Sequence, residues 1–279
     1  MSFVMSDLPM TPQVFAILSG LIEERLGLFY ALADKPLFEN KIAARALELG
    51  FDSALDYYYF LRYDDANGAE LDALAETLVV HETFFFREFD PLQTVLKRFV
   101  VPQIEAGARP RIWCAACSTG EEPATVAMWL AERALLDAVE LIASDISEAA
   151  LASARTGRYR SRSLRQIPSG VDPSRWLEPD HGTFLLDPKI RGAIQWRRLN
   201  LLDGAAVQTL GTLDVVLCRN LLIYFRDDVV RRVVGQLGDR LKPGGVLLVG
   251  VSESLMRFGT RLACEEHDGV FVYRKAAET

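Results

Sequence analysis

From Pro12 the apolar residues Val14, Ile17, Leu18, Leu21, Ile22 and Leu26 recur at intervals of three and four, the period of a helix that hides one face. Thr11 stands where an N-cap belongs and Gly27 near the end. Lys41–Leu49, closed by Gly50, reads as a second helix, and Ser53–Leu61, capped by Ser53, as a third. A polar turn, Asp64–Gly68, precedes a fourth over Leu71–Val80. Residues 1–80 therefore form a small all-α unit.

Pro91 opens a helix through about Val101 that leads into a second domain. The pattern then alternates by type. Ile112–Ala116, Val139–Ser144 and Leu213–Cys218 are short apolar runs of strand length. Between and after them, about Pro123–Leu136, Ser147–Thr156 and Asp227–Leu241 carry helical spacing. Lys242–Gly245 is a turn into a further strand, Val246–Val251, and Val270–Arg274 is the last. This alternation predicts an α/β domain, a parallel sheet with helices on both faces. Residues 161–196 break the rhythm. They are rich in Pro, Gly and isolated aromatics, and Thr183–Leu186 and Ala193–Trp196 read as short strands of a small antiparallel insertion. The expected plan is a helical domain over 1–80, a linker with a helix over 81–107, and an α/β domain over 108–279 holding an insertion at about 161–196. No internal repeat is visible.

Composition narrows the function. Half of the 279 residues are hydrophobic and a quarter charged, which excludes a disordered chain. No apolar run approaches the length of a membrane span, and Met1–Met10 lacks the pattern of a signal peptide. Four cysteines make no disulfide framework, so a reduced, cytoplasmic protein is expected. Residues 1–80 hold 13 Asp and Glu against 5 Lys and Arg, a net of −8, while the whole chain is −7, leaving +1 for the remainder. An acidic front and a neutral body oppose nucleic-acid binding, which needs a basic footprint.

Three stretches carry candidate chemistry. Ala115–Pro123 places small residues, including Ser118, Thr119 and Gly120, at the end of the first strand, where open sheets bind ligands. The further glycines of a dinucleotide fingerprint are missing, and Glu121 and Glu122 would repel a phosphate but suit a cationic head. The alternative reading of the same residues is a tight strand–helix connection and nothing more. Asp145 follows the second strand at the spacing that suits ribose hydroxyls, although it or Ser147 could simply cap the next helix. Together they favour an adenosyl ligand without pyrophosphate, S-adenosylmethionine, whose amino acid and sulfonium fit Glu121. In Asp214–Phe225, polar Arg219 and Asn220 interrupt an apolar stretch. Burying them unpaired would cost about 1–3 kcal/mol each, so they serve as a satisfied structural pair or meet a ligand. Cys114 and Cys117 lie in or beside an apolar strand, and His81, His181 and His267 are scattered. No metal site is expected.

Thr83–Glu88, Ser118–Pro123, Asp145–Ile146, Asn200–Leu202 and Cys218–Phe225 occur in an order that resembles the CheR family of chemotaxis protein methyltransferases, and the resemblance spans nearly the whole chain. It implies a class I S-adenosylmethionine-dependent methyltransferase (Rossmann-like) domain with a small antiparallel β insertion, preceded by a helical domain. The implied activity is esterification of chemoreceptor glutamates, yielding S-adenosylhomocysteine. Carried over by position, Thr83 and Arg87 reach the cofactor or reaction centre from the linker, Glu121 meets the methionine ammonium, and Asp145 binds the ribose. Asn200 and Leu201 surround the adenine, Arg219 and Asn220 line the site near the methyl group, and Tyr224 lies beside it. His81 stands where the family usually has asparagine, which alters geometry while keeping a hydrogen-bond donor.

The implied partner is the cytoplasmic helical region of a methyl-accepting chemoreceptor, met by a monomer. In some members the β insertion docks a receptor tail. The family's basic N-terminal helix is matched here mainly by Lys41 and Arg45 in an acidic unit, so either a local basic face survives or the substrate differs. A glutamate is already ionised at neutral pH, with a pKa of about 4.3, so the reaction needs no general base. It needs in-line positioning and exclusion of water. Arg87 could hold the carboxylate and the Tyr224 hydroxyl orient one oxygen. The competing readings are a catalytically silent sensor of the same ligands, an RNA methyltransferase, opposed by the acidic balance, and a nicotinamide oxidoreductase, opposed by the missing glycines.

Overall fold

The computed structural model describes residues 8–277. Residues 1–7, on which the reading of the N-terminus partly rests, lie outside the described residues. The described residues divide into two compact units, residues 8–80 with 224–229, and residues 81–223 with 230–277.

The first unit is built on four helices, α1 (Pro12–Leu26), α2 (Lys35–Glu48), α3 (Ala54–Tyr59) and α4 (Ala69–Leu78). Thr11 and Ser53 cap α1 and α3 by accepting from Val14 N and from Leu55 N and Asp56 N. Helix α2 starts six residues before the sequence expectation. Pro36 occupies its first turn, where the missing N–H costs nothing. Helix α3 runs on into a wide π turn, Phe60–Asp64. Phe15, Leu18, Ile22, Phe38, Ile42 and Leu74 fill the core. Within it Glu70 is 6 % exposed and takes Arg45 Nε (2.8 Å) and Nη2 (2.6 Å) and the Tyr57 hydroxyl (2.5 Å). Burial and that carboxylate push the Tyr57 hydroxyl pKa up. All three cations of α2 are thereby engaged within the unit: Arg45 with Glu70 and Glu48, Lys35 with Glu39, and Lys41 with the Leu78 carbonyl. Gly27 ends α1 at φ 79°, and a methyl group there would stand 2.9 Å from the Phe225 ring.

The second unit begins with α5 (Phe89–Val95), a π turn, and α6 (Val101–Glu105). Its main sheet has seven strands in the order β6-β2-β1-β7-β8-β10-β9. These are β1 (Arg111–Ala115), β2 (Glu140–Asp145), β6 (Ile194–Arg198), β7 (Leu213–Cys218), β8 (Leu241–Val249), β9 (Leu262–His267) and β10 (Val270–Lys275). The five from β6 to β8 are parallel, and β10 then pairs antiparallel with both β8 and β9. Strands β1 and β7 are apolar runs because both their faces are covered. The intervening helices are α7 (Glu121–Ala131), α8 (Glu148–Thr156), α9 (Pro188–Gly192), α10 (Gly204–Gln208) and α11 (Asp227–Arg240). Ser147 caps α8 by accepting from Ala150 N.

The insertion is a three-stranded antiparallel sheet, β3-β5-β4, from Arg158–Arg160 (β3), Leu177–Asp180 (β4) and Thr183–Leu186 (β5). Two sequence expectations change here. Ala193–Trp196 was expected within the insertion, but Ile194–Arg198 forms the edge strand β6 of the main sheet, parallel to β2. Short amphipathic runs do not announce their sheet. Lys242–Gly245 was expected as a turn, but it lies inside β8, where a register shift against β7 absorbs it. Lys242 there pairs with Asp214 at 2.8 Å.

Candidate active site

Parallel strands end together, and the turns after β1, β2, β7 and β8 form one rim of the sheet, where α/β sheets bind ligands. Five non-glycine residues with positive φ lie on these turns and the approaching linker: Phe86 (62°), Glu88 (47°), Ala116 (57°), Ser118 (51°) and Asn220 (58°). Such strain persists where surrounding bonds over-determine it, and it clusters at functional sites.

After β1, the strained turn aims Ser118 N at Asp145 Oδ2 (2.7 Å). Asp145, at the end of β2 and 8 % exposed, also accepts from Ser147 N at Oδ1 (3.0 Å). Its carbonyl accepts from Leu199 N (2.9 Å), tying it to the segment holding Asn200 and Leu201. Asn200 Oδ1 accepts from Leu202 N (2.9 Å), which turns the chain there, and Leu201 is 7 % exposed. His81 Nδ1 lies 3.4 Å from Ser118 Oγ, and Thr83 is half-buried two residues on.

Glu121 opens α7 and is 2 % exposed. Its oxygens accept from Thr119 Oγ1 (2.6 Å) and from Ser163 Oγ (2.8 Å). Burial raises its pKa above the ordinary value despite both hydroxyls. Glu122 is likewise raised by burial, against the pull of Arg219.

Arg219, with a side chain only 2 % exposed, is the hub of the opposite side. Nη1 donates to Glu122 Oε2 (2.7 Å), while Nη2 donates to the carbonyls of Arg87 (2.7 Å) and Glu88 (3.1 Å) and to Glu88 Oε2 (3.1 Å). Asn220 donates from Nδ2 to Glu88 Oε1 (3.0 Å) and from its main-chain N to Glu253 Oε2 (2.8 Å). Burial would push Glu88 up, but Asn220 and Arg219 outweigh it and hold the pKa below the usual carboxylate range. Arg87 is half-buried; its Nη1 donates to the Glu82 carbonyl (2.6 Å) and its guanidinium sits 5.8 Å from the Phe84 ring.

The structure thus groups Arg87, Arg219 and Asn220, and separately Asp145 with Ser118, His81 and the Asn200 segment. Tyr224 belongs to the helical unit, where its carbonyl accepts from Phe29 N (2.9 Å). Glu88 and Glu253 were not singled out from the sequence, and Glu122 was read there only as a partner for a cationic head, not as the partner of Arg219. The one signal for Glu88 and Glu253 is position, acidic residues at or near the end of an apolar run. Cys114, Cys117 and Cys218 are buried with pKa values raised by desolvation, the state of inert thiols. Among the described residues no cluster of His, Cys, Asp and Glu could hold a metal ion, and no helix is long and apolar enough to cross a membrane.

Residues 81–270 match the family model described as CheR methyltransferase, SAM binding domain. Chemotaxis protein methyltransferase 2 of Vibrio cholerae is 34 % identical over 262 residues, covering 92 % of this chain and 90 % of that one. Chemotaxis protein methyltransferase 1 of Pseudomonas aeruginosa is 35 % identical over 204 residues, 70 % of this chain and 73 % of its own. Among solved structures, the rRNA methyltransferase aviRa from Streptomyces viridochromogenes gives a TM-score of 0.43 at 16 % identity, over 69 % of this chain and 86 % of that one. The strand order, the strained rim and the family match agree, and the chain belongs to the CheR family of S-adenosylmethionine-dependent chemotaxis methyltransferases.

Proposed function

We propose that the rim described above esterifies glutamate side chains in the cytoplasmic helical region of a methyl-accepting chemoreceptor, the protein acting as a monomer in the cytoplasm. The observation that carries this reading is the donor set. Asp145, Glu121 and Glu122 stand about one strained turn of small residues, which suits an adenosyl ligand with cationic centres and repels a phosphate. S-adenosylmethionine, when bound, supplies an activated methyl group together with its own leaving group.

The chain's residues do the rest. Asp145 holds the ribose hydroxyls, the Asn200–Leu201 segment borders the adenine, and His81 and Thr83 close the linker side. Glu121 accepts from the methionine ammonium, since the Thr119 and Ser163 hydroxyls occupy one acceptor direction on each of its oxygens. Asn220 lines the methyl side, and Arg219, enclosed among carboxylates and carbonyls, acts by holding that wall. The incoming glutamate is already a carboxylate. Arg87 keeps guanidinium N–H groups beyond its one main-chain bond and grips that carboxylate. Neutral Asn220 and paired Arg219 leave no proton to be moved. The β insertion offers edge strands β3 and β4, on which an extended receptor tail could pair. With every cation of α2 engaged inside its unit, receptor contact through a basic face of that helix has little to draw on.

The test combines calorimetric titration with S-adenosylhomocysteine and transfer of tritiated methyl to receptor-bearing membranes. Binding with base-labile label on a receptor-sized band is expected. Base-stable label, or no binding, would overturn the reading.

A further inference from the structure

Asn220 is held from two sides. Its side-chain amide donates to Glu88, and its main-chain N–H donates to Glu253 Oε2 at 2.8 Å. The same Glu253 oxygen accepts from Gly250 N at 2.7 Å, so one carboxylate oxygen joins the turn after β7 to the turn after β8. Glu88 repeats the link with its own carboxylate, accepting from Val251 N at 3.1 Å. The space is closed: a methyl group on Gly250 would lie 2.7 Å from Asn220 Nδ2 and 2.8 Å from Glu253 Oε2. Asn220 has φ 58°, a conformation that needs such restraint, and Arg219 immediately before it reaches the main chain of Arg87 at 2.7 Å.

We propose that Glu253 is a positioning residue for methyl transfer: by gripping the Asn220 and Gly250 N–H groups it fixes left-handed Asn220, and through the adjoining Arg219 it fixes the main chain that carries Arg87. Glu253 reaches neither cofactor nor substrate in this role. Its other oxygen, Oε1, is buried with no partner, so it is Oε2 that matters, and a glutamine carbonyl can replace it. The proposal rests on the assignment of Arg87 and Asn220 to the reaction site.

The test compares Glu253→Ala, Glu253→Gln and Gly250→Ala with the parent protein by three readouts. Amide hydrogen exchange at Asn220 and Gly250 reports the grip itself. S-adenosylhomocysteine affinity reports the cofactor side, and kcat for receptor methylation reports the reaction. Expected for Glu253→Ala are exchange accelerated at both amides, affinity within about 3-fold of the parent, and kcat lowered about 30-fold, on the order of 2 kcal/mol. Glu253→Gln recovers most of kcat, and Gly250→Ala behaves like Glu253→Ala. Accelerated exchange with unchanged kcat would overturn the positioning role, as would unchanged exchange, or loss in Glu253→Gln equal to that in Glu253→Ala. A parent protein that makes no base-labile ester would instead sink the assigned reaction, while the exchange readout would still report the grip.

Discussion

Arg219 Nη2 donates to the main-chain carbonyl of Arg87 at 2.7 Å. The side chain predicted to line the methyl site is therefore turned toward the backbone of its neighbour. With 2 % exposure, and with Glu122 and Glu88 also bonded to it, Arg219 is enclosed by the elements it joins. A residue so placed shapes the site by fixing where Arg87 stands.

Arg219→Lys is expected to lose most of that arrangement, because one ammonium cannot span Glu122, Glu88 and two carbonyls as the planar guanidinium does. Arg219→Ala leaves Glu122 buried without its counter-charge, which costs about 3–5 kcal/mol, a fall in Tm of roughly 6–15 °C. Thermal unfolding with kcat measurements checks both. Full activity in Arg219→Lys would show that the guanidinium geometry is dispensable.

Asp145→Asn keeps one carboxyl-type oxygen but loses an acceptor for either Ser118 N or Ser147 N, bonds of 2.7 and 3.0 Å. Hydrogen bonds to a charged group contribute about 1.5–3 kcal/mol. In the proposed ribose site the substitution also leaves one charged acceptor fewer for the hydroxyls, so the affinity for S-adenosylhomocysteine is expected to fall roughly 10- to 100-fold, read by calorimetry. An unchanged affinity would remove Asp145 from the ribose site and leave it a turn residue.

Much of this site could be read from the chain because its local signals are strong. Ser118, Asp145 and Asn220 each follow an apolar run, and that position puts them on the rim of a parallel sheet. The helical caps Thr11, Ser53 and Ser147 are equally local, since each bonds within three residues of itself. What escaped depends on long-range pairing. Glu253 meets Asn220 from 33 positions away and Glu88 meets it from 132, and an acidic residue in a loop carries no mark of such a partner. Strand β6 was misplaced for the same reason, because nothing in Ile194–Arg198 says which sheet will accept it. Likewise the sequence left open whether Lys41 and Arg45 form a basic face, because their partners Leu78 and Glu70 lie 37 and 25 positions away.

Arg87 and Tyr224 differ in what their loss removes. In the proposed reaction Arg87→Ala would delete a charge-assisted grip on the incoming carboxylate, and it is expected to lower kcat about 100-fold, on the order of 3 kcal/mol. Tyr224→Phe removes one neutral hydroxyl and is expected to cost less than about 10-fold. Single-turnover methylation at saturating cofactor separates them, and an Arg87→Ala protein that turns over normally would refute the role given to Arg87.

Glu121 allows a test by pH. Burial raises its pKa from the ordinary 4.5, an effect that the Thr119 and Ser163 hydroxyls only partly offset. Between 4.5 and the raised value the folded protein holds this proton more firmly than the unfolded chain does. Stability then falls as pH rises through that window, because its slope follows the protons bound unfolded minus folded. Below the unfolded pKa the penalty is absent, and above the folded pKa it is fully present. Glu121→Gln carries no charge at any pH, and both hydroxyls can turn to bond its amide. It should therefore match the parent's stability near pH 4 and equal or exceed it near pH 8, seen as Tm against pH. Ligand binding should respond the other way. A methionine ammonium favours the ionised carboxylate, so the parent's affinity for S-adenosylhomocysteine rises with pH across the window and binding releases a proton. In Glu121→Gln that dependence should flatten and affinity drop at high pH. Calorimetry in buffers of different ionisation enthalpy counts the proton directly, and an unchanged count in Glu121→Gln would assign the ammonium to another carboxylate of the rim, with Glu122 next in line.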